Sequence, residues 1–199
     1  MKKTIITSAF LASLLLLSGC NETVPNMKKN GVAVNYVNNP AIQAKGMKQI
    51  KGLVAGVKPA LMETFKKDKT GVEGTIMCSN AAQKMGKNYN ASLPKDSKVR
   101  RTAIKYRNPN NKPDATDLVV MNKLVADNTF KKPLVVEMKD HYRVYKALPM
   151  HKPCLACHGD AAKMPAKMKE IIAKKYPNDL ATGLKAHAFR GVIVSEIKK

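Results

Sequence analysis

The segment Pro153-Cys154-Leu155-Ala156-Cys157-His158-Gly159 holds two thiols two residues apart, with an imidazole directly after the second. This C-x-x-C-H spacing is the attachment signature of a c-type haem: two sulfurs add to the porphyrin vinyl groups and the adjacent His158 ligates iron from the same side. Two intervening residues let both sulfurs reach neighbouring edges of one macrocycle while the chain folds beneath it. Competing chemistries fit less well. A thioredoxin-like dithiol calls for a βαβ setting and no His at this position. A zinc site finds no second ligand pair in the sequence. A disulfide across two residues is strained. One such segment predicts one haem, with Cys154 and Cys157 as its covalent anchors.

The sixth position on iron then decides the mechanism. Cys78, the methionines, His141, His151 and His187 are the side chains available for it. A lone Met or His in a Lys-rich chain ordinarily belongs to the core or the surface. Cys78 stands apart for want of a partner. Of the four cysteines, Cys154 and Cys157 are spoken for by haem and Cys20 by a separate signal. An unpaired thiol in an oxidising compartment is vulnerable. Cys78 is therefore either a small buried residue on a helix face or a thiolate ligand to iron.

The Cys20 signal lies at the start of the chain. Lys2 and Lys3 precede an apolar run from Ile5 to Leu17, too short to span a bilayer as a retained helix, so residues 1–19 read as a secretory leader. The run abuts Leu17-Ser18-Gly19-Cys20, which resembles a bacterial lipobox; by that likeness Cys20 becomes the first mature residue and carries lipid. The expectation is a protein anchored on the periplasmic side of a bacterial membrane. Asn21 after the lipid cysteine slightly favours the outer membrane.

Residues 20–40, rich in Asn, read as a tether, with a weak alternation at Val32, Val34 and Tyr36 that would let part of it join a sheet. A single domain is expected over 41–199. Ile50, Leu53, Val54, Val57, Leu61 and Phe65 mark one face of an amphipathic helix, which Pro59 should kink or divide. A second helix presents Thr75, Cys78, Ala82 and Met85 on one side and stops at Gly86. Alternation at Thr102, Ile104 and Tyr106 predicts a strand with one covered face, and residues 107–114 a loop. A further helix starts within Asp114 to Asp117 and runs through Leu118, Met121, Leu124 and Val125. Strands return at Tyr142 to Leu148 and at Phe189 to Ile197. Helices before and between separated strands predict an α+β domain with an antiparallel sheet.

Several motifs agree in order with one family. Ile76-Met77-Cys78, Val99-Arg100-Arg101-Thr102, Arg107-Asn108-Pro109-Asn110-Asn111-Lys112-Pro113-Asp114, the Cys154 to His158 segment, Tyr176-Pro177-Asn178-Asp179, Ala181-Thr182-Gly183 and Arg190-Gly191 together make the chain resemble the Tll0287-like c-type haem domain family over about residues 45–197. The resemblance implies a PAS-like α+β fold, with N-terminal helices packed around one haem, found alone or as the periplasmic sensing part of signalling proteins. It also implies His158 and Cys78 as the two axial ligands.

Arg100, Arg101, Arg107 and Arg190 fall within these motifs; one or more could pair with a haem propionate, since a planar guanidinium suits a carboxylate, or could tie loop carbonyls to strands. The formal charge of +22 comes from 36 basic against 14 acidic residues, and Lys predominates without clustered Arg or interleaved aromatics, so nucleic acid is not the expected partner. An acidic redox or signalling protein, or anionic lipid headgroups, would be attracted instead. Two functions follow: a redox or small-gas haem sensor that works by loss or exchange of the Cys78 ligand, or an electron carrier that keeps both ligands. An enzyme is not expected, because a filled sixth position leaves substrate nowhere to bind.

Overall fold

A computed structural model describes residues 32–128 and 130–199. The leader, the lipobox and Cys20 lie outside the described residues. The helices are α1 (Pro40–Lys67), α2 (Val72–Ser79), α3 (Ala81–Ser92), α4 (Ala115–Ala126), α5 (Leu155–His158) and α6 (Ala166–Lys175). The strands are β1 (Asn35–Tyr36), β2 (Ser97–Thr102), β3 (Leu134–Glu137), β4 (His141–Pro149) and β5 (Phe189–Lys198). All strand pairs are antiparallel, in the order β1-β3-β4-β5-β2. The fold is the α+β arrangement with an antiparallel sheet that the sequence predicts.

The period of two along β5 sorts its side chains between two covered faces. Val192 and Val194 point toward α4, packing with Val120, Met121, Leu124 and Tyr145. Ile193 and Ile197 point toward α1, packing with Ile50, Leu53, Val99 and Val144. Both faces of the central strands are thus buried. On the α1 face the buried Ser195 hydroxyl donates to Gln49 Oε1 at 2.5 Å, and Gly46 lets the helix lie on β4, since a Cβ there would stand 2.5 Å from Val144 Cγ2.

Local chemistry explains where the elements begin and end. Asn39 caps α1 by accepting from Ile42 N, with Pro40 at the first helical position. The helix continues through Pro59 instead of dividing there; that residue is exposed, so its ring faces away from the packed side. The second expected helix is two. α2 ends at Asn80 and α3 runs past Gly86, where a Cβ would meet nothing, to stop before Pro94. Strand β2 ends at Thr102, short of Ile104 and Tyr106, because Asn111 folds back: its carbonyl accepts from Ala103 N and Thr102 Oγ1. Asp114 and Asp117 form a reciprocal capping box that starts α4. Asn35 and Tyr36, within the stretch read as a tether, pair with Glu137 and Val136.

Candidate functional site

The attachment segment leaves the sheet where β4 ends. Lys152–Cys154 make a 3-10 turn and α5 continues it for one helical turn, ended at Gly159, whose N donates to Leu155 O at 2.8 Å. Cys157 is buried here, and behind it Met164, Met168 and Ile172 of the α6 region form a small apolar cluster. α2 lies against this turn. It begins at Gly71, whose φ of 82° is left-handed, and a Cβ there would stand 2.9 Å from Met168 Cε and 3.0 Å from Ala156 Cβ. The glycine thus stands where the start of α2 meets the side chains of Met168 and Ala156.

Between these elements opens a cleft of about 820 Å³, measured out to its mouth and including the solvent there. Cys78, Cys154, Cys157 and His158 all line it, with Leu61 and Phe65 of α1 giving apolar wall and Arg101, Arg107 and Arg190 giving a cationic one. Of the other side chains considered for the sixth iron position, Met150 is the one among the described residues that joins this lining. His151 and His187 are exposed, and His141 pairs with Asp140 at 2.6 Å.

The electrostatics of the lining are specific. His158 Nδ1 lies 2.8 Å from Ala181 O; a carbonyl only accepts, so Nδ1 carries the hydrogen and Nε2 keeps its lone pair. Burial, reinforced by Arg190 and Arg107, holds this imidazole well below its ordinary pKa and therefore neutral. Burial likewise pushes the Cys78, Cys154 and Cys157 thiols up, with Arg101 opposing the shift at Cys78. Arg190 is lowered to about 10 by burial and by the neighbouring Arg101 and Arg107; its Nη1 donates to a backbone carbonyl, Lys105 O, at 3.0 Å.

Arg107 organises one end of the cleft. Its Nη2 donates to Cys157 O at 2.7 Å and to Asp179 Oδ2 at 2.9 Å, while its buried Nε has no partner among the described residues. Asp179 in turn accepts from Ala181 N at 2.8 Å, so the guanidinium is linked to the same residue whose carbonyl holds His158. Arg100 is placed elsewhere. Being next to Arg101 on a strand, it projects from the opposite face of the sheet, where it forms ion pairs with Asp117 and Glu196, each at 2.8 Å. Asp179, Thr75 and Tyr176 were not singled out as site residues in the sequence, although Tyr176 and Asp179 belong to one of its spaced motifs.

The residues present fit a haem. The Cys154 and Cys157 thiols and a lone-pair imidazole share a cleft with the Cys78 thiol, yet among the described residues no three His, Cys, Asp or Glu side chains converge on one point. That spacing suits a flat macrocycle between the groups and not a single tetrahedral ion. Three guanidiniums against the one carboxylate of Asp179 leave two cationic charges over, and the orphaned Arg107 Nε is a donor waiting for an acceptor. Two propionates would answer both.

The family profile called Tll0287-like matches residues 26–197. The crystal structure of the cyanobacterial haem protein Tll0287 is similar, with a TM-score of 0.64 and 27% sequence identity, covering 81% of this chain and 98% of that one. No curated protein matches the chain. The profile takes in every residue that lines the cleft, from Leu61 to Arg190, and the chain belongs to the Tll0287-like family.

Proposed function

We propose that this protein is a periplasmic, lipid-anchored monohaem c-type cytochrome that senses redox state or a small gas. The observation that carries the proposal is the single cleft shared by Cys154, Cys157, His158 and Cys78, together with the similarity to a haem protein. Bound there, haem would supply one-electron redox chemistry and, at any iron position the protein leaves open, a place for a small gas. Cys154 and Cys157 would hold it covalently, each thiol adding its sulfur to one vinyl carbon and its hydrogen to the other with no net oxidation. His158 would offer Nε2 to the iron, oriented by its hydrogen bond to Ala181 O. Cys78 would supply the second protein ligand, and Arg101, Arg107 and Arg190 would receive the propionates.

Sensing is favoured over simple electron carriage by the element that bears Cys78. α2 has only eight residues and is bounded by left-handed Gly71 at one end and by the break at Asn80 at the other. A short helix with breaks at both ends can shift as a unit when its ligand is gained or lost. Anchoring rests on Cys20, and the excess of positive charge favours an acidic protein partner. The proposal assigns no catalytic turnover to the chain.

Exposure of the reduced protein to carbon monoxide tests the sensing role. A carbon monoxide adduct, formed as Cys78 is displaced, is the expected result. Absence of an adduct, with fast and reversible reduction, would contradict it and leave an electron carrier. For the anchor, Cys20→Ala is expected to release the protein from the membrane fraction; retention there would contradict lipidation at Cys20.

A further inference from the structure

Gly71, Thr75 and Cys78 recur along α2 and its cap at spacings of four and three, so they share one side of the helix. Thr75 is 3% exposed. Its Oγ1 donates to Gly71 O at 3.0 Å and lies 3.1 Å from Cys157 Sγ, which is itself 3.6 Å from Gly71 O. A hydroxyl, a sulfur and a carbonyl therefore close a triangle between the helix that carries Cys78 and the turn that carries the attachment cysteines.

The hydrogens in that triangle change on haem attachment. A free Cys157 thiol brings one hydrogen and Thr75 another, enough for two contacts. When the Cys157 sulfur bonds a vinyl carbon, its hydrogen passes to the neighbouring carbon and the resulting thioether can only accept. The Thr75 hydroxyl is then the one side-chain donor in the triangle, and its single hydrogen turns from Gly71 O, which keeps the bond from Thr75 N at 3.0 Å, to the sulfur. We propose that Thr75 is a positioning residue: it docks α2 onto the Cys157 thioether and thereby sets where Cys78, the next turn along, stands relative to iron. This inference rests on the haem reading above.

Thr75→Val keeps the branched shape and removes the hydroxyl, whereas Thr75→Ser restores it. Both variants are purified as full chains with haem attached, and the oxidised forms are compared by EPR and the reduced forms by carbon monoxide association. Thr75→Val is expected to shift and broaden the low-spin g values and to speed carbon monoxide association about five- to tenfold, the effect of one lost hydrogen bond. Thr75→Ser is expected to match the parent protein in both measurements. Parent-like EPR in Thr75→Val would overturn the proposal, as would a Thr75→Ser variant that behaves like Thr75→Val. Should Thr75→Val carry no haem, Thr75→Ser against Thr75→Ala decides in the same way. Failure of the underlying reading is recognised separately, by a Cys78→Ala variant whose spectrum equals that of the parent.

Discussion

Arg107 connects more of the site than any other side chain. One nitrogen holds the carbonyl of Cys157 and the carboxylate of Asp179, and Asp179 steadies the turn whose Ala181 carbonyl orients His158. The Arg107 and Asp179 side chains are 11% and 10% exposed. Removing one partner of such a pair strands a buried charge, so Asp179→Ala is expected to cost about 3–5 kcal/mol, read as a lower denaturant midpoint at unchanged slope. The same variant should broaden the spectroscopic signature of His158 ligation, because the imidazole loses its indirect brace. An unchanged midpoint would contradict the linkage. The arginines show how far the sequence was legible at this scale. Arg101, Arg107 and Arg190 reach the cleft as their motifs suggested, but Arg100 does not, and only the register of β2 against β5 separates Arg100 from Arg101.

At the scale of elements, α2 and α4 carry the sharpest expectations. Gly71→Ala forces a side chain into a left-handed φ and against Met168 and Ala156, which should cost about 1–3 kcal/mol and lower the fraction of chains with attached haem, measured by mass spectrometry. On the other face, fully buried Asp117 accepts from Arg100 and from Tyr145 Oη, and Arg143 Nη1 lies 3.5 Å away. Asp117→Ala should therefore lower stability by about 3–5 kcal/mol while leaving the haem spectrum of the folded protein unchanged; a spectral change would show that α4 communicates with the cleft. Asp114 and Asp117 announced the start of α4 because a capping box is a local signal. β3 and α6 were not legible. Leu134–Glu137 is a short strand whose pairing with β4 is a tertiary fact, and α6 buries only Met168 and Ile172, too few apolar positions to impose a period. The split between α2 and α3 was hidden as well, since nothing in Ser79-Asn80-Ala81 forbids a helix; at the break Lys175 Nζ of α6 donates to Ser79 Oγ at 3.0 Å and to Asn80 Oδ1 at 2.6 Å, a contact that only the tertiary fold supplies.

For the whole molecule the governing quantity is charge. The sum of +22 should speed encounter with an acidic partner, and raising ionic strength from 0.01 to 0.15 M shortens the screening length from about 30 to about 8 Å. Electron exchange with an acidic redox protein is expected to slow by about tenfold or more over that range; salt independence would contradict an electrostatic partner. Stability should also depend on acid. Burial pushes Asp114 up, but the hydrogen bond from Asp117 N and the Arg143 guanidinium bring it below its ordinary value, and Lys45 and Ser97 do the same for Asp96. A carboxylate with a depressed folded pKa stabilises the fold above the unfolded value, near 4, and this is lost as pH falls through the folded value. The melting temperature is thus expected to be level above about pH 5 and to drop below about pH 4. The central claim is that one haem lies between His158 and Cys78. EPR of the oxidised parent protein beside Cys78→Ala tests it most directly. A low-spin signal with thiolate character in the parent, replaced in the variant by a high-spin signal or a different low-spin one, is the predicted result; a high-spin parent, or identical spectra from the two proteins, would contradict it.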